Sequence, residues 1–317
     1  MRFVARRIVV SVALLFGTSI LIFVAIRALP GNPVAARLGL MKGISGATLH
    51  RLVVEAGLDR SLVSQYLSWI AGAFRGNLGT SYYDNVPVSS LISQRFPPTF
   101  ELTLLGVGLS IVIGVPSAIV AAWHVGSWVD RTFSAVAATG MAFPPFVAGI
   151  ILIVIFSVSF HLLPSRGYVP LWVNPIENLQ GMILPALSLS IVAAPLIFRF
   201  LRGAMIDALA SDFARTAEGK GASPMRVVFG HALRNAALPA VTVIGLITGY
   251  TIGGSVIVEY VFGFSGLGSL AVESASERDY AVLQSVVLLI SAEFIIVMTS
   301  VDLLVWRLDP RTRKSRG

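Results

Sequence analysis

The sequence predicts an all-α polytopic membrane protein with six transmembrane helices. Of its 317 residues, 55% are hydrophobic and only 13% are charged, which is far more apolar surface than one water-soluble core requires. A helix needs about 20 apolar residues to cross a hydrocarbon core of about 30 Å. Runs of this kind lie at residues 8–26, 99–123, 132–160, 183–200, 237–258 and 281–306. The run at 183–200 is the shortest.

The distribution of lysine and arginine predicts that both termini are cytoplasmic. The first run follows three arginines, as a signal peptide would, but it is long for one and lacks a small-residue cleavage pattern, so we interpret it as a retained span. With the N-terminus inside, the two short outer loops hold one basic residue each, Arg166 and Arg278. The cytoplasmic pieces then hold Arg2, Arg6, Arg7, Arg131, Arg199, Arg202, Arg215, Lys220, Arg226, Arg234, Arg307, Arg311, Arg313, Lys314 and Arg316.

Several function classes find no support in the sequence. The absence of cysteine excludes disulfides, thiolate metal sites and a cysteine nucleophile. The net charge of +8 accompanies apolar runs without interleaved aromatic side chains, so it indicates topology rather than nucleic-acid binding. The segment "EGKGAS" lacks the glycine spacing of a phosphate-binding loop, and there is no H-E-x-x-H or G-x-S-x-G motif. The sequence therefore predicts no catalytic, cofactor-binding or metal site.

The predicted organisation has four parts. Residues 1–27 form a cytoplasmic tip and the first span, 28–98 an extracytoplasmic segment, 99–306 the membrane core with a cytoplasmic loop at 201–236, and 307–317 a basic cytoplasmic tail. The extracytoplasmic segment mixes turn signals such as "RGNLGTSYYDNVP" with the amphipathic stretch "SLVSQYLSWIAGAF". We expect it to fold as short helices that cap the bundle.

The stretch "RTAEGKGASP", residues 215–224, is polar and helix-breaking although it lies between two apolar runs. Helix formers dominate residues 204–218, and Gly219 and Gly221 allow the left-handed conformation of a helix C-cap. Ser223 and Pro224 form an N-cap and first-turn signal, which predicts a second helix to about residue 235. Such a helix–turn–helix can dock a partner and transmit force to the flanking spans. A structured loop without a partner is the alternative.

The same loop, "DFARTAEGKGASPMRVVFGHALRNAALP", resembles the cytoplasmic loop of permease subunits of ABC-type importers, in the dipeptide, oligopeptide and nickel branch. The resemblance covers nearly the whole chain, and it is closest to the first of the two permeases in such systems. Further matches, in order and spacing, are "LPGNP", "LDRSLVSQYLSWIAGAFRGNLGTSY", "PVSSLISQRFPPTFELTL", "EYVFGFSGLGSLAVESASERDYAVLQSVVLL" and "VDLLVWRLDPRTR".

The resemblance implies that the loop carries a coupling helix, which sits in a groove of a cytoplasmic ATPase and passes its closing motion to the spans. By position, Arg215, Thr216 and Ala217 stand where the wider family often has Glu-Ala-Ala, and Gly221 is the glycine that follows. The acid of the first position is missing, which puts an ATPase contact through that carboxylate in doubt.

Two nearby acids, Asp212 and Glu218, could substitute for the missing carboxylate. Four residues match the branch's H-x-L-R-N-A-x-x-P pattern and are expected to brace the loop against the start of the fifth span: His231, Arg234, Asn235 and Pro239.

The resemblance also implies partners. They are a second homologous permease, two cytoplasmic ATPase subunits that hold ATP and magnesium, and an extracytoplasmic substrate-binding protein, all at the inner membrane of a prokaryote. Short peptides are the expected cargo, while nickel, glutathione, oligosaccharide and haem stay open. A proton-coupled secondary transporter is the competing hypothesis, because Glu293 lies near the middle of the sixth run.

Small residues in the fifth run predict close helix packing. Gly245, Gly249 and Gly253 share one face at i, i+4 and i+8, which lets helix backbones approach closely in lipid. This face could pack within the chain or against the partner permease.

Two further features suggest a lining of the pathway. A carboxylate at the position of Glu293 costs about 2.5–3.5 kcal/mol in a bilayer, so it should face a cavity or be paired or neutral, and Ser300 lies on nearly the same face. Pro144 and Pro145 should bend the third run, and such a bend is found in moving or cavity-lining helices and equally as a fixed kink.

Overall fold

The computed structural model describes residues 2–28, 50, 51, 53, 54 and 57–308 of the chain. Its regular elements are helices, and the described residues contain one isolated bridge, between Thr80 and Pro87. The helices are α1 (Arg2–Ala28), α2 (Leu62–Phe74), α3 (Val88–Trp123), α4 (Trp128–Ala142), α5 (Pro145–Leu152), α6 (Pro175–Leu209), α7 (Asp212–Gly219), α8 (Leu233–Phe262), α9 (Leu267–Ser276) and α10 (Tyr280–Leu308). Two π-helical segments, Ile153–Ser159 and Arg226–Ala232, continue α5 and precede α8. The motif "LPGNP" and the end of the predicted tail lie outside the described residues.

The predicted all-α membrane class is confirmed. Five segments are long and apolar enough to cross a bilayer, namely Phe3–Ala28, Val88–Trp123, Pro175–Leu209, Arg226–Phe262 and Tyr280–Leu308. The predicted third span consists of two helices, α4 and α5 with its π-helical continuation, which meet at 101°. Pro144 has an extended backbone and Pro145 opens α5, so the bend that these prolines predict is confirmed.

Two helices extend well beyond the predicted spans. The run at 99–123 belongs to a helix that begins at Val88, and the run at 183–200 lies within Pro175–Leu209. Asn174 caps the start of α6, since its side-chain oxygen accepts a hydrogen bond from Glu177 N at 3.3 Å. Hydropathy identifies the part of a helix that fits a membrane, whereas caps determine where the helix begins.

The chain divides into two compact units, one formed by residues 1–99 and 265–295 and the other by 100–264 and 296–317. In the first unit, Thr99 Oγ1 accepts a hydrogen bond from Leu267 N at 2.8 Å, and Ser81 Oγ donates to Asp279 Oδ2 at 2.5 Å. The core of this unit joins α3, α9 and α10 through Val88, Ile92, Leu267, Leu270, Val282 and Val286.

The second unit is built around α6, of whose apolar stretch 67% is buried, the largest share among the candidate spans of the described residues. One cluster of its core lies beside the end of α6 and contains Ala118, Ala122, Phe198, Leu201, Met205, Val228, Ala232 and Ala236. A second cluster joins α3, α6 and the end of α8 through Leu102, Met182, Leu184, Leu189, Val258 and Phe262.

Candidate coupling element

Residues 210–235, which we name the coupling element, connect α6 to α8. The sequence predicts one helix over residues 204–218, and this is wrong, because α6 ends at Leu209 and α7 begins at Asp212. Ser211 between them is extended, and its Oγ donates a hydrogen bond to Ala208 O at 2.5 Å. Such local serine hydrogen bonds compete with helix continuation, which accounts for the break.

The turn after α7 has the predicted left-handed glycine. Gly221 has φ +81°, and its N–H donates to Glu218 O at 2.8 Å while Ala222 N donates to Ala217 O at 3.1 Å. These two bonds satisfy carbonyls at the end of the helix. Gly219 does not share this conformation, since it is the last residue of α7.

The second half of the element begins as predicted but does not end as predicted. Ser223 is confirmed as the N-cap, because its Oγ accepts a hydrogen bond from Arg226 N at 3.4 Å. The helix that follows does not stop near residue 235, since it runs through the π-helical segment into α8 and continues past Pro239 to Phe262. The second half of the coupling element and α8, which contains the predicted fifth run, therefore share one continuous helix.

The element has a buried face and an exposed face. Val228 and Ala232 join the core cluster of the second unit, and Ala214 is fully buried. Ala217 and His231 are half-buried. The other residues that the sequence predicts for ATPase coupling are exposed: Asp212, Arg215, Thr216, Glu218, Gly221, Ser223, Pro224, Arg234 and Asn235.

Three exposed apolar residues of the element were missed by the sequence reasoning. Phe213, Met225 and Phe229 are 42%, 61% and 47% exposed, whereas the neighbouring Val227 and Val228 are buried. Large apolar side chains that stay exposed on one short element are candidates for contact with a partner. Their signal was available in the sequence, as apolar residues within a charged loop.

A partly buried ion pair lies just before the element. Arg202 of α6 donates to both carboxylate oxygens of Asp130 in α4, from Nε at 2.6 Å and from Nη2 at 2.7 Å. Gly126 N donates to the same carboxylate at 2.9 Å, and Asp130 is only 4% exposed. This bidentate geometry fixes the start of α4 against the last turns of α6. The two partners are 72 residues apart, so no local pattern could have indicated the pair.

A second polar cluster of this unit joins α3, α6 and the loop between α5 and α6. Tyr168 donates to Glu101 Oε1 at 3.0 Å, and Asn178 Nδ2 donates both to Glu101 Oε2 at 2.8 Å and to Val169 O at 2.7 Å. Burial and the hydrogen bond to Glu101 raise the pKa of Tyr168. The phenol therefore stays protonated and remains a donor at neutral pH.

The glycines predicted to pack helices divide between two environments. Gly245 and Gly249 are buried, and a Cβ at Gly245 would lie 2.5 Å from Val301 Cγ2 of α10. Gly253 is exposed, and a Cβ there would have no neighbour within 4 Å. At Gly245 the small residue therefore packs α8 against α10 of the same chain, which is one of the two alternatives that the sequence left open.

The predicted lining residues differ in their exposure. Glu293 is half-buried in α10, and Ser300 is exposed with its Oγ donating to Ile296 O at 2.7 Å. Pro144 is exposed and Pro145 half-buried at the bend between α4 and α5. A pathway role for these four residues stays a prediction. In the described ranges, no three histidine or acidic side chains come together as metal ligands.

Comparison with known proteins gives a consistent result. The family described as "Binding-protein-dependent transport system inner membrane component" matches residues 114–314, and its N-terminal companion family matches residues 1–103. The chain is 38% identical to a probable peptide ABC transporter permease of Sinorhizobium fredii, over 98% of this chain and 99% of the relative. It is 37% identical to the glutathione transport system permease of Escherichia coli K12, over 99% of each.

Solved structures show the same fold for part of the chain. The methionine ABC transporter MetNI, in an inward-facing conformation, matches with a TM-score of 0.57 and 18% identity, over 69% of this chain and 96% of that one. An amino acid ABC transporter solved with histidines matches with a TM-score of 0.51 and 16% identity, over 70% of this chain and 94% of that one.

Proposed function

The chain belongs to the binding-protein-dependent transport system inner membrane component family, and on this premise we propose that it pairs with a second permease to form a translocation pathway for short peptides. It is a multi-pass inner-membrane permease of an ABC importer. ATP and magnesium are held by two separate ATPase subunits, and a substrate-binding protein delivers the cargo. This chain supplies the path and the mechanical connection.

The observation that carries the proposal is the coupling element. It presents a charged, exposed surface that includes Arg215 and Glu218, and its second half continues as a helix to Phe262. A continuous helix transmits displacement along its axis, because its backbone hydrogen bonds resist bending. A partner that seats on this surface can therefore move α8.

In this proposal, the exposed apolar residues of the coupling element pack into the groove of the ATPase. Phe213 lies on α7, while Met225 and Phe229 follow the turn at Gly221. Buried apolar anchors surrounded by polar contacts are typical of stable protein interfaces. In this assignment Asp212 or Glu218 replaces the acid that the wider family has at the position of Arg215.

In the proposed cycle, ATP binding closes the two ATPases, and the coupling element converts that closure into movement of α6 and α8. The pathway then opens toward the binding protein, and hydrolysis resets it. Each conformational state is held by different packed contacts between the helices of the two permeases.

Short peptides are the cargo class that the similar proteins favour. One relative bears the name of a peptide permease and another that of a glutathione permease. Glutathione is itself a tripeptide, so a short-peptide pathway includes both. Competition of labelled dipeptide uptake by unlabelled peptides, glutathione and nickel would distinguish these cargoes.

Insertion of a flexible glycine run after Gly221 tests the coupling role. We expect membrane insertion and co-purification with the partner subunits to persist while ATP-driven uptake is lost, because the run disconnects α7 from the continuous helix. The matched control carries the same run after Trp172, which is 72% exposed in the loop before α6. This control should retain uptake. Transport that survives the insertion after Gly221 would contradict force transmission through the element.

A further inference from the structure

The helix α2 has an apolar surface that the rest of the described chain leaves open. Its 13 residues, "LVSQYLSWIAGAF", contain no charged side chain. Val63, Leu67, Ala71 and Phe74 form one stripe at i, i+4, i+8 and i+11, and all four are exposed. The larger side chains of this stripe are 69%, 56% and 71% exposed at Val63, Leu67 and Phe74.

The opposite face of α2 packs along the middle of α1. The Phe23 ring lies 5.5 Å from the Tyr66 ring and 6.2 Å from the Trp69 ring. At the C-terminal end of the exposed stripe, Phe74 also approaches α1, where its ring lies 5.8 Å from the Phe16 ring, closer to the start of α1. The chain direction of α2 is therefore opposite to that of α1, and its C-terminal end lies beside the middle of α1.

The position of these contacts along α1 places α2 at membrane depth. The apolar run of α1 starts at Ile8, directly after Arg6 and Arg7. At 1.5 Å per residue, Phe16 lies about 12 Å and Phe23 about 22 Å beyond Ile8, both within a hydrocarbon core of about 30 Å. Since α2 contacts both residues, it lies beside the part of α1 that spans the membrane.

The exposed stripe of α2 and the exposed surface of α1 are both apolar. Ile20, Leu21 and Val24 of α1 are 49%, 69% and 58% exposed, and they belong to a candidate membrane span. Apolar side chains exposed on a spanning helix contact lipid or another membrane protein. The absence of any charge on α2 favours the same surroundings for its stripe.

A groove of about 310 Å³ runs between α1, α2, α3 and α10 within the first unit. Its lining is almost entirely apolar, as in Leu15, Ile70 and Leu288. The hydroxyl groups that reach it already have hydrogen bonds: Ser19 Oγ donates to Phe16 O at 2.7 Å, and Ser285 Oγ donates to Ala281 O at 2.8 Å. The groove therefore suits an acyl chain and offers little to a polar ligand.

We propose that α2 is a membrane-inserted helix that does not cross the bilayer, and that phospholipid acyl chains cover its outward stripe and enter the groove. With the N-terminus inside, α2 enters from the outer face of the bilayer, and its C-terminal end beside Phe16 reaches about the middle of the hydrocarbon core. The sequence predicts instead that this segment caps the bundle. The proposal concerns the surroundings of α2 and does not depend on the cargo.

The absence of cysteine makes a direct test simple, because a single introduced cysteine carries the only thiol of the chain. Leu67→Cys and Val63→Cys would be labelled with bimane in the full-length chain and reconstituted in bilayers. Quenching by brominated phospholipid reports lipid contact, and quenching by iodide reports water contact. Leu21→Cys of α1 is the control for lipid, and Asp84→Cys, in an exposed turn, is the control for water.

We expect the brominated lipid to quench both α2 labels as strongly as it quenches the label at Leu21. We expect iodide to quench both α2 labels as weakly as it quenches the label at Leu21. Iodide quenching equal to that of the label at Asp84 would overturn the proposal and place the stripe in water. Protection from both quenchers, in the assembled importer, would also overturn it, since the stripe would then be covered by protein.

Discussion

Replacing Gly245 with alanine tests the contact of α8 with α10, at the glycine where, among those described, an added Cβ would have the least room. A Cβ at this position would lie 2.5 Å from Val301 Cγ2 and 3.0 Å from both Val301 Cβ and Cγ1. Carbon atoms normally pack at about 3.5–4.0 Å, so the new methyl group overlaps by about 1 Å or more. Rotation of the Val301 side chain about χ1 does not relieve this overlap, because it replaces one close γ-carbon by the other. The backbones of α8 and α10 must therefore separate.

The expected free-energy change follows from two opposing effects. Overpacking of a core costs about 1–3 kcal/mol, whereas alanine in place of glycine in a helix interior contributes about 1 kcal/mol of stability. Gly253→Ala is the matched control, because the same helix receives the same methyl group in open space. We expect the free energy of unfolding of Gly245→Ala to lie about 1–3 kcal/mol below that of Gly253→Ala.

Thermal unfolding followed by the fluorescence of the five tryptophans measures this difference. The double variant Gly245→Ala/Val301→Ala should recover part of the loss, because it removes two of the three overlapping atoms. A melting temperature of Gly245→Ala equal to or above that of Gly253→Ala would show that α8 and α10 are not in this contact.

Two further predictions concern the polar clusters of the second unit. Asp130→Asn should destabilise the protein by about 3 kcal/mol, which is the lower end for breaking a buried ion pair, because the Arg202 side chain is 25% exposed. The double variant Asp130→Leu/Arg202→Met should recover part of this loss, and an unchanged melting temperature of Asp130→Asn would refute the pair. Asn178→Leu should lower the free energy of unfolding by about 1–3 kcal/mol, because the Val169 carbonyl loses its hydrogen-bond donor. Tyr168→Phe should lower it by about 0.5–1.5 kcal/mol, because one hydrogen bond to Glu101 is lost, and thermal unfolding that ranks the two variants in the reverse order would contradict the cluster.

Composition was sufficient to predict the class of fold and the approximate number of spans, because the requirement for about 20 apolar residues is a property of sequence alone. Helix ends were harder to predict. Ser223 and Gly221 were recognised from local backbone chemistry, and the structure confirms both. The predicted end of the second helix near residue 235 does not exist, since the helix continues through Pro239 to Phe262, and a proline can be accommodated within a membrane helix.

Long-range contacts and surroundings could not be predicted in the same way. The pair of Asp130 and Arg202 depends on two helices meeting, which no spacing in the sequence encodes. The helix α2 was predicted from its periodicity, but a periodic pattern shows only which residues share a face. Whether that face meets water, lipid or protein depends on the depth of α1 beside it.

The two ends of α7 differ in a way that bears on the direction of force. Its start is separated from α6 by the break at Ser211, and its end is connected through the turn at Gly221 to a helix that continues to Phe262. The end of α6 is also held against α4 by Asp130 and Arg202. If an ATPase moves α7 as proposed, the break can absorb rotation on the α6 side while the continuous helix carries the displacement into α8. In the proposed cycle, α8 would then move further than α6, because the ion pair of Asp130 and Arg202 holds the end of α6 against α4.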